Sequence, residues 1–258
     1  MWLELRTVFD HLSHDSSTRT ILLSGAGPKG FTAGIDIRSQ STPLTRESQN
    51  AASSSTPPDG ARAATRIRRH VNEFQACISS IEKCEKPVVA IMHGFCFGLG
   101  IDIACCADLR ICAVDTKFSV KEVDVGIAAD IGTLTRLPKI VGNGSWVKDV
   151  CLSARVFGAE EAAKVGFVSW VGGGKEDAIK QGLKWGTTVA EKSPVAVQST
   201  KELLNWSKDR TVQDGEFPRL AVRERAARLL WELTDAQVYV TRVSGTVLRY
   251  KHLISRWQ

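Results

Sequence analysis

Leu3, Val8, Phe9 and Leu12 fall on one side of a 3.6-residue period, so residues 2–13 are predicted to form an amphipathic helix with that face toward a core. Thr18 to Ser24 (TRTILLS) is a β-branched apolar run closed by glycines, the pattern of a buried strand. Gly25 to Asp36 is a glycine-punctuated turn. Residues 39–60 are Ser, Thr and Pro with no apolar period and cannot supply core; a loop of that length is a lid, a binding loop or disordered. A long helix is predicted over 61–85, stopped by Lys86-Pro87, and a second buried strand over Val88–Met92. A short helix follows over Gly100–Ala107, then strands at Leu109–Val114, Lys117–Val120 and Phe167–Val171, with helices at 130–139, 159–165 and 175–192. Beyond Ser193-Pro194 the pattern is helical only, and residues 219–233 place Val222, Ala226, Leu229 and Leu233 on one helical face.

Strand–helix alternation argues an α/β fold with a C-terminal helical region. The expected division is a core over residues 1–193 and a helical region over 194–258 whose tail, after about residue 215, is basic and atypical. With 258 residues the chain has ample length for a sizeable core. The longest apolar stretch, Pro87 to Ala107, is interrupted by His93, Asp102 and three glycines, so a buried strand–loop–helix is expected there and not a bilayer span. The first residues show neither the basic nor the apolar region of a secretory signal.

Charge changes the picture little. Of the net +6, residues 218–258 contribute +5, from seven Arg and one Lys against Glu224, Glu232 and Asp235. An excess confined to a tail is not a groove tracking phosphates, so neither nucleic acid nor membrane is expected as a partner. Seven cysteines without a C-x-x-C pair, several in apolar surroundings, suggest reduced buried thiols.

Gly25-x-Gly27-x-x-Gly30 after a strand has the spacing of a dinucleotide fingerprint, but Pro28, Thr32 and Gly34 interrupt the helix that would receive the pyrophosphate. Turn geometry or a close backbone approach to a ligand explains these glycines better. Gly142-Asn-Gly-Ser145 is not a nucleophile elbow, the five histidines lack metal spacing, and no metal site is expected. The carboxylates carry more information. Asp102 lies in the first turn of an apolar helix, and Glu122 and Asp130 flank the largely apolar run Val123-Asp-Val-Gly-Ile-Ala-Ala. Desolvation would raise their pKa values toward those useful for proton transfer. From the residues alone, Asp102 and Asp130 are better explained as helix N-terminal acids favoured by the macrodipole.

Gly27-Pro-Lys-Gly-Phe-Thr-Ala-Gly-Ile-Asp36, the run from Lys86-Pro-Val-Val through His93-Gly-Phe-Cys-Phe-Gly-Leu-Gly-Ile-Asp102 to Arg110, and Phe118-Ser-Val-Lys-Glu122 through Asp130-Ile-Gly-Thr to Lys139 together resemble the crotonase (enoyl-CoA hydratase/isomerase) superfamily over about residues 2–215. Asp at 102, and Glu122 paired with Asp130, resemble its dienoyl-CoA isomerase branch in particular. The resemblance implies a crotonase-like spiral of ββα units and an isomerase that shifts 3,5-dienoyl-CoA to 2,4-dienoyl-CoA in fatty-acid β-oxidation. It implies that the backbone N–H groups of Ile35 and Leu99 bind the thioester oxygen and that Ala33, Gly34, Ile35, Asp36, Ile37 and Gly98 line the acyl-CoA site. Glu122 would take the alpha proton, Asp130 would deliver one to the far end of the conjugated system, and Asp102 would orient or polarise the pair. An acyl-CoA thioester would be the substrate, with no cofactor beyond the CoA it carries. A homo-oligomer, trimer or hexamer, is implied insofar as the C-terminal region permits, in a peroxisome or mitochondrion, although no targeting signal is visible.

The chain departs from the pattern in three places. The family's initial strand pair is missing from it, since Met1 already falls in the first helix; the terminal helices are not recognisable after Asp214-Gly215; and Leu99 stands where a glycine is usual. The Leu99 amide survives, and its side chain is expected to crowd the acyl path or re-aim the donor. Two alternatives stay open: enoyl-CoA hydration on the same fold, and a catalytically impaired relative that binds acyl-CoA or partner subunits.

Overall fold

The computed structural model describes residues 2–35 and 59–213, and the backbone of residues 237–242. Helix α1 (Trp2–His14) opens it, followed by β1 (Thr18–Ser24), β2 (Gly30–Thr32), the long helix α2 (Gly60–Lys83), β3 (Val88–Met92), β4 (Phe95–Phe97) and α3 (Leu99–Cys106). Next come β5 (Leu109–Ala113), β6 (Lys117–Ser119), a 3-10 turn (Glu122–Val125), α4 (Thr133–Ile140), α5 (Gly144–Ser153), β7 (Phe157–Gly158), α6 (Ala159–Lys164), β8 (Trp170–Gly172), α7 (Lys175–Ala190) and α8 (Pro194–Ser207). Strand β9 (Gln237–Arg242) is the last described element.

Each pass of the chain lays one strand in each of two sheets and then a helix: β1–β2–α2, β3–β4–α3, β5–β6–α4. The first sheet runs β8-β5-β3-β1-β9 and is parallel throughout. The second runs β2-β4-β6-β7, parallel except for its last pair. This is the expected α/β spiral of ββα units.

Side chains alternate across the first sheet with the period of a pleat. Ile21, Leu23, Val88, Ala90 and Met92 enter the main core with α1, α2 and α3, while Leu22, Val89 and Ile91 face the opposite way, against Ala178 and Ala190 of α7. Strands covered on both faces read as continuous apolar runs, which is why β1 and β3 were legible. Helix α7 approaches so closely that a Cβ at Gly182 would stand 2.5 Å from Ile91 Cδ1. Helix α8 is pinned by the buried Lys201, whose Nζ lies 2.7 Å from Asp108 Oδ2 and donates to the Lys86 carbonyl at 2.9 Å. All seven cysteines are free and buried. Among the described residues no helix is long and apolar enough to cross a membrane.

Several expectations are corrected. Leu3 is 52% exposed; Trp2 and Leu5 join Phe9 and Leu12 on the buried side, because an aromatic anchor on His70 and Phe74 sets the rotation of α1. Strands β2, β4 and β7 and helix α5 were not predicted. The three strands have two or three residues each, too few to show a period. The view that residues beyond 194 are helical only fails at β9, which pairs in parallel with β1 from Thr18 to Ser24. Gln-Val-Tyr-Val-Thr-Arg is rich in β-branched and aromatic residues, and the outer edge of β1 offers a row of backbone groups to pair. The predicted helix over 219–233 and most of the 39–60 loop lie outside the described residues.

Gly25 to Gly30 does not open a helix but leads into β2, as the dinucleotide motif would not. The glycines serve packing of chain on chain. A Cβ at Gly30 would stand 2.5 Å from the Phe95 backbone nitrogen and 2.7 Å from its oxygen, and one at Gly94, where φ is +52°, would strike the Lys29 carbonyl. Gly27, by contrast, has open space around it. Gly30→Ala should therefore destabilise the protein by about 1–3 kcal/mol in urea denaturation. Gly27→Ala should stay within about 0.5 kcal/mol of the parent. Equal effects at the two positions would refute the packing role.

Candidate active site

Two left-handed glycines place two turns side by side. Gly34 (φ +105°) follows β2, and Gly98 (φ +52°) lies between β4 and α3. A Cβ at Gly34 would stand 3.3 Å from the Phe97 carbonyl oxygen, 3.8 Å from the Leu99 nitrogen and 3.9 Å from the Gly98 Cα. The sequence segments around Ile35 and Leu99, separated by more than sixty residues of chain, thus come together at the ends of paired strands β2 and β4. Leu99 is the first residue of α3, where amide N–H groups have no partner within the helix and the dipole favours negative charge. Its side chain is 2% exposed and belongs to the main core. Ala33 is exposed at the surface beside this junction and Ile35 half-buried, whereas Gly98 is buried. Asp36 and Ile37 lie outside the described residues.

The carboxylates converge on the same place. Gly98 donates its N–H to the Ser119 carbonyl at 2.9 Å, which ties the turn to β6 just before the Glu122 turn. Ser119 Oγ donates to the Ala154 carbonyl at 2.6 Å and fastens this segment to the end of α5. Glu122 Oε1 would lie only 3.2 Å from a Cβ at Gly98, so the absence of a side chain there admits the carboxylate. Glu122 is 9% exposed, and its Oε2 is buried with no hydrogen-bond partner. Burial first, then the charges of Asp102 and Asp130, push its pKa up to about 7.

Asp102, in the first turn of α3, is 1% exposed. Its Oδ1 accepts from the Thr133 N–H and from the Thr133 hydroxyl, both at 2.7 Å. Burial pushes it up to about 6, while the donors from Thr133 and Gly132 and the Arg136 charge act in the opposite direction. Asp130 is exposed, and its backbone carbonyl accepts from Gln75 Nε2 of α2 at 2.8 Å. Cys151 of α5 completes the surroundings, its thiol pushed up to about 11 by burial and then by Glu122 and Asp102.

Sequence reading missed Thr133 and Cys151. The signal for Thr133 was the buried acid itself, which demanded a donor that a chain of letters does not locate. His93 is accounted for by structure: its ring Nε2 lies 2.8 Å from the Gly27 carbonyl and holds the glycine turn.

The arrangement pairs a helix N-terminus and two close backbone turns with a desolvated carboxylate, a geometry able to hold an anionic oxygen while a nearby base takes a proton. The sequence profile of the enoyl-CoA hydratase/isomerase family matches residues 1–217. The chain belongs to that family. Among relatives of this enoyl-CoA hydratase/isomerase member, the mitochondrial protein of Homo sapiens named delta(3,5)-delta(2,4)-dienoyl-CoA isomerase is 41% identical over 213 residues, covering 83% of this chain and 62% of the relative. The peroxisomal protein of that name from Arabidopsis thaliana is 40% identical over 218 residues, covering 83% of this chain and 74% of the relative. Pseudomonas aeruginosa DspI has a solved structure that superposes with a TM-score of 0.71 at 26% identity, covering 88% of this chain and 77% of that one. The chain thus spans about 62% of the length of the mammalian relatives it matches.

A carboxyl whose folded pKa is raised binds protons more tightly in the folded state, so stability falls as pH rises from its ordinary value through the folded one. For Glu122 that window runs from 4.5 to about 7. Glu122→Gln, which cannot ionise, should match the parent near pH 4 and exceed it at pH 8 by on the order of 2–3 kcal/mol in urea midpoints. No gain at pH 8 would show that the Glu122 carboxylate is not desolvated.

Proposed function

We propose that the chain carries the site of a dienoyl-CoA isomerase, converting 3,5-dienoyl-CoA thioesters to their 2,4-isomers in fatty-acid β-oxidation. The observation that carries this reading is the position of Glu122: its carboxylate abuts the Gly98 turn, which itself packs against Gly34 and precedes the Leu99 amide. In the proposed reaction the Ile35 and Leu99 N–H groups bind the thioester oxygen and stabilise the extended enolate. Glu122 removes the alpha proton. The electron pair moves along the conjugated system, and Asp130 supplies a proton at its far end, so the double bonds shift with no net gain or loss of atoms. Ala33, Gly34, Ile35 and Gly98 line the acyl-CoA site in this reading; Asp36 and Ile37, expected there from the sequence, lie outside the described residues. No cofactor or metal is invoked, because the CoA belongs to the substrate.

Mitochondrial and peroxisomal proteins named dienoyl-CoA isomerase at about 40% identity support the reading and the corresponding compartments. A homo-oligomer, trimer or hexamer, is part of it: Val123, Val125, Ile127 and Leu134 are exposed apolar residues that a second copy would cover. Hydration of an enoyl-CoA fits less well, because it assigns no proton to Asp130.

Two substitutions separate the readings. Asp130→Asn should lower isomerisation about 100- to 10,000-fold while leaving exchange of the alpha proton with deuterated water intact. Glu122→Gln should abolish both. Isomerisation at the parental rate in Asp130→Asn would refute the role of that acid. A parent chain that binds acyl-CoA yet neither isomerises nor exchanges would replace the enzyme with an acyl-CoA-binding protein.

A further inference from the structure

We propose that Thr133 is a positioning residue that decides which of the two neighbouring buried carboxylates carries the proton: it holds Asp102 as the anion and leaves Glu122 as the group that gains and loses it. The proposal rests on the isomerase reading for its catalytic consequence, but the charge assignment stands on the geometry of the resting protein.

The two acids are treated very differently by their surroundings. Asp102 Oδ1 receives two donors from one residue, the Thr133 amide and hydroxyl, each at 2.7 Å. Thr133 is fully buried and is the first residue of α4, so the positive end of that helix also faces the carboxylate. One turn further along, Arg136 adds its charge from a fixed position: its Nε donates to Glu82 Oε2 at 2.9 Å and its Nη2 to Ser79 Oγ at 3.0 Å. Gly132, immediately before Thr133, leaves room for this, since a Cβ there would stand 2.9 Å from Arg136 Nη1 and 3.6 Å from Asp102 Oδ1. Among the described residues, Glu122 has only its own backbone N–H as a donor to the carboxylate, against the pair from Thr133 at Asp102. One of its oxygens lies against the Gly98 turn, and the other is buried without a partner.

Hydrogen bonds to the charged form stabilise it, and a buried carboxylate oxygen lacking a donor favours the protonated form. Of the two acids, Glu122 therefore holds its proton to the higher pH, and it acts as the base once that proton has left. The other ionisable groups near them do not reverse this order. Cys105 and Cys106 on α3 and Cys151 on α5 are thiols held protonated by burial, and Cys96 of β4 likewise. Asp130 acts on Glu122, in the same direction as Asp102. Held as an anion, Asp102 raises the proton affinity of Glu122 and makes it a stronger base toward an alpha proton. Thr133 touches no reacting atom; it acts through Asp102.

The test uses the full chain. Side-chain carboxyl resonances are titrated by 13C NMR without substrate in the parent, Thr133→Val, Thr133→Ala and Thr133→Ser. Two variants that lose the hydroxyl keep the test valid if one of them fails to fold. Asp102 should titrate about one pH unit higher in the Val and Ala variants and at the parental position in Ser, which keeps the hydroxyl. The acid limb of kcat/KM for a 3,5-dienoyl-CoA, set by loss of the proton from Glu122, should move downward in Val and Ala, because a protonated Asp102 no longer raises Glu122, and return in Ser. Parental titration of Asp102 in Val and Ala, or an equal shift in Ser, overturns the proposal, as does an Asp102 shift that leaves the acid limb in place. A parent chain without isomerase activity sinks the isomerase reading alone, because the substrate-free titration still decides what Thr133 does to Asp102.

Discussion

Two carboxylates buried within reach of each other are the constraint around which the site is organised. Glu122 and Asp102 are 9% and 1% exposed, and their proximity makes ionisation of both expensive. Neutralising one and solvating the other with fixed dipoles is the economical solution, and the chain supplies those dipoles from α4 through Thr133 and Arg136. A core built for stability alone would place apolar residues at these positions. Their retention, with an orphaned oxygen on Glu122, is strain of the kind that accompanies function.

The fold delivers this arrangement by close approach of backbone to backbone. Each ββα pass leaves the first sheet and contributes a short strand to the second, and the first two passes then turn at a glycine. Gly30 admits the Phe95 backbone, Gly34 admits the Gly98–Leu99 turn, and Gly98 admits the Glu122 carboxylate. Three consecutive passes thereby place one amide-bearing turn, then a helix N-terminus, then an acid in contact. The long parallel strands β1, β3 and β5 are the rigid support, buried on both faces. On the outer side of β1 the sheet is extended by β9, contributed from the far end of the chain.

Much of this was legible in the sequence, and the reasons differ by element. Long runs declared themselves: TRTILLS and VVAIM as buried strands, and residues 61–85 as a helix, which the structure places at Gly60–Lys83. The acids at 102, 122 and 130 stood out because apolar neighbours surround them in the chain itself. The short strands β2, β4 and β7 were not legible, since two or three residues carry no period and exist only by pairing with segments distant in sequence. The rotation of α1 was misread at Leu3, because which side of a helix is buried depends on its neighbours, here His70 and Phe74 against Trp2.

The sequence by itself determined the α/β alternation, the glycine positions and the chemical types available to the site, because these follow from local period and residue identity. Tertiary structure alone decided that Leu99 turns its side chain into the core, that β9 rather than a helix forms at Gln237–Arg242, and that Thr133 is the partner of Asp102 thirty-one residues away. Those outcomes depend on which donor meets which acceptor after the chain has wound three times. Burial and hydrogen bonding between distant residues leave no trace in spacing along the chain.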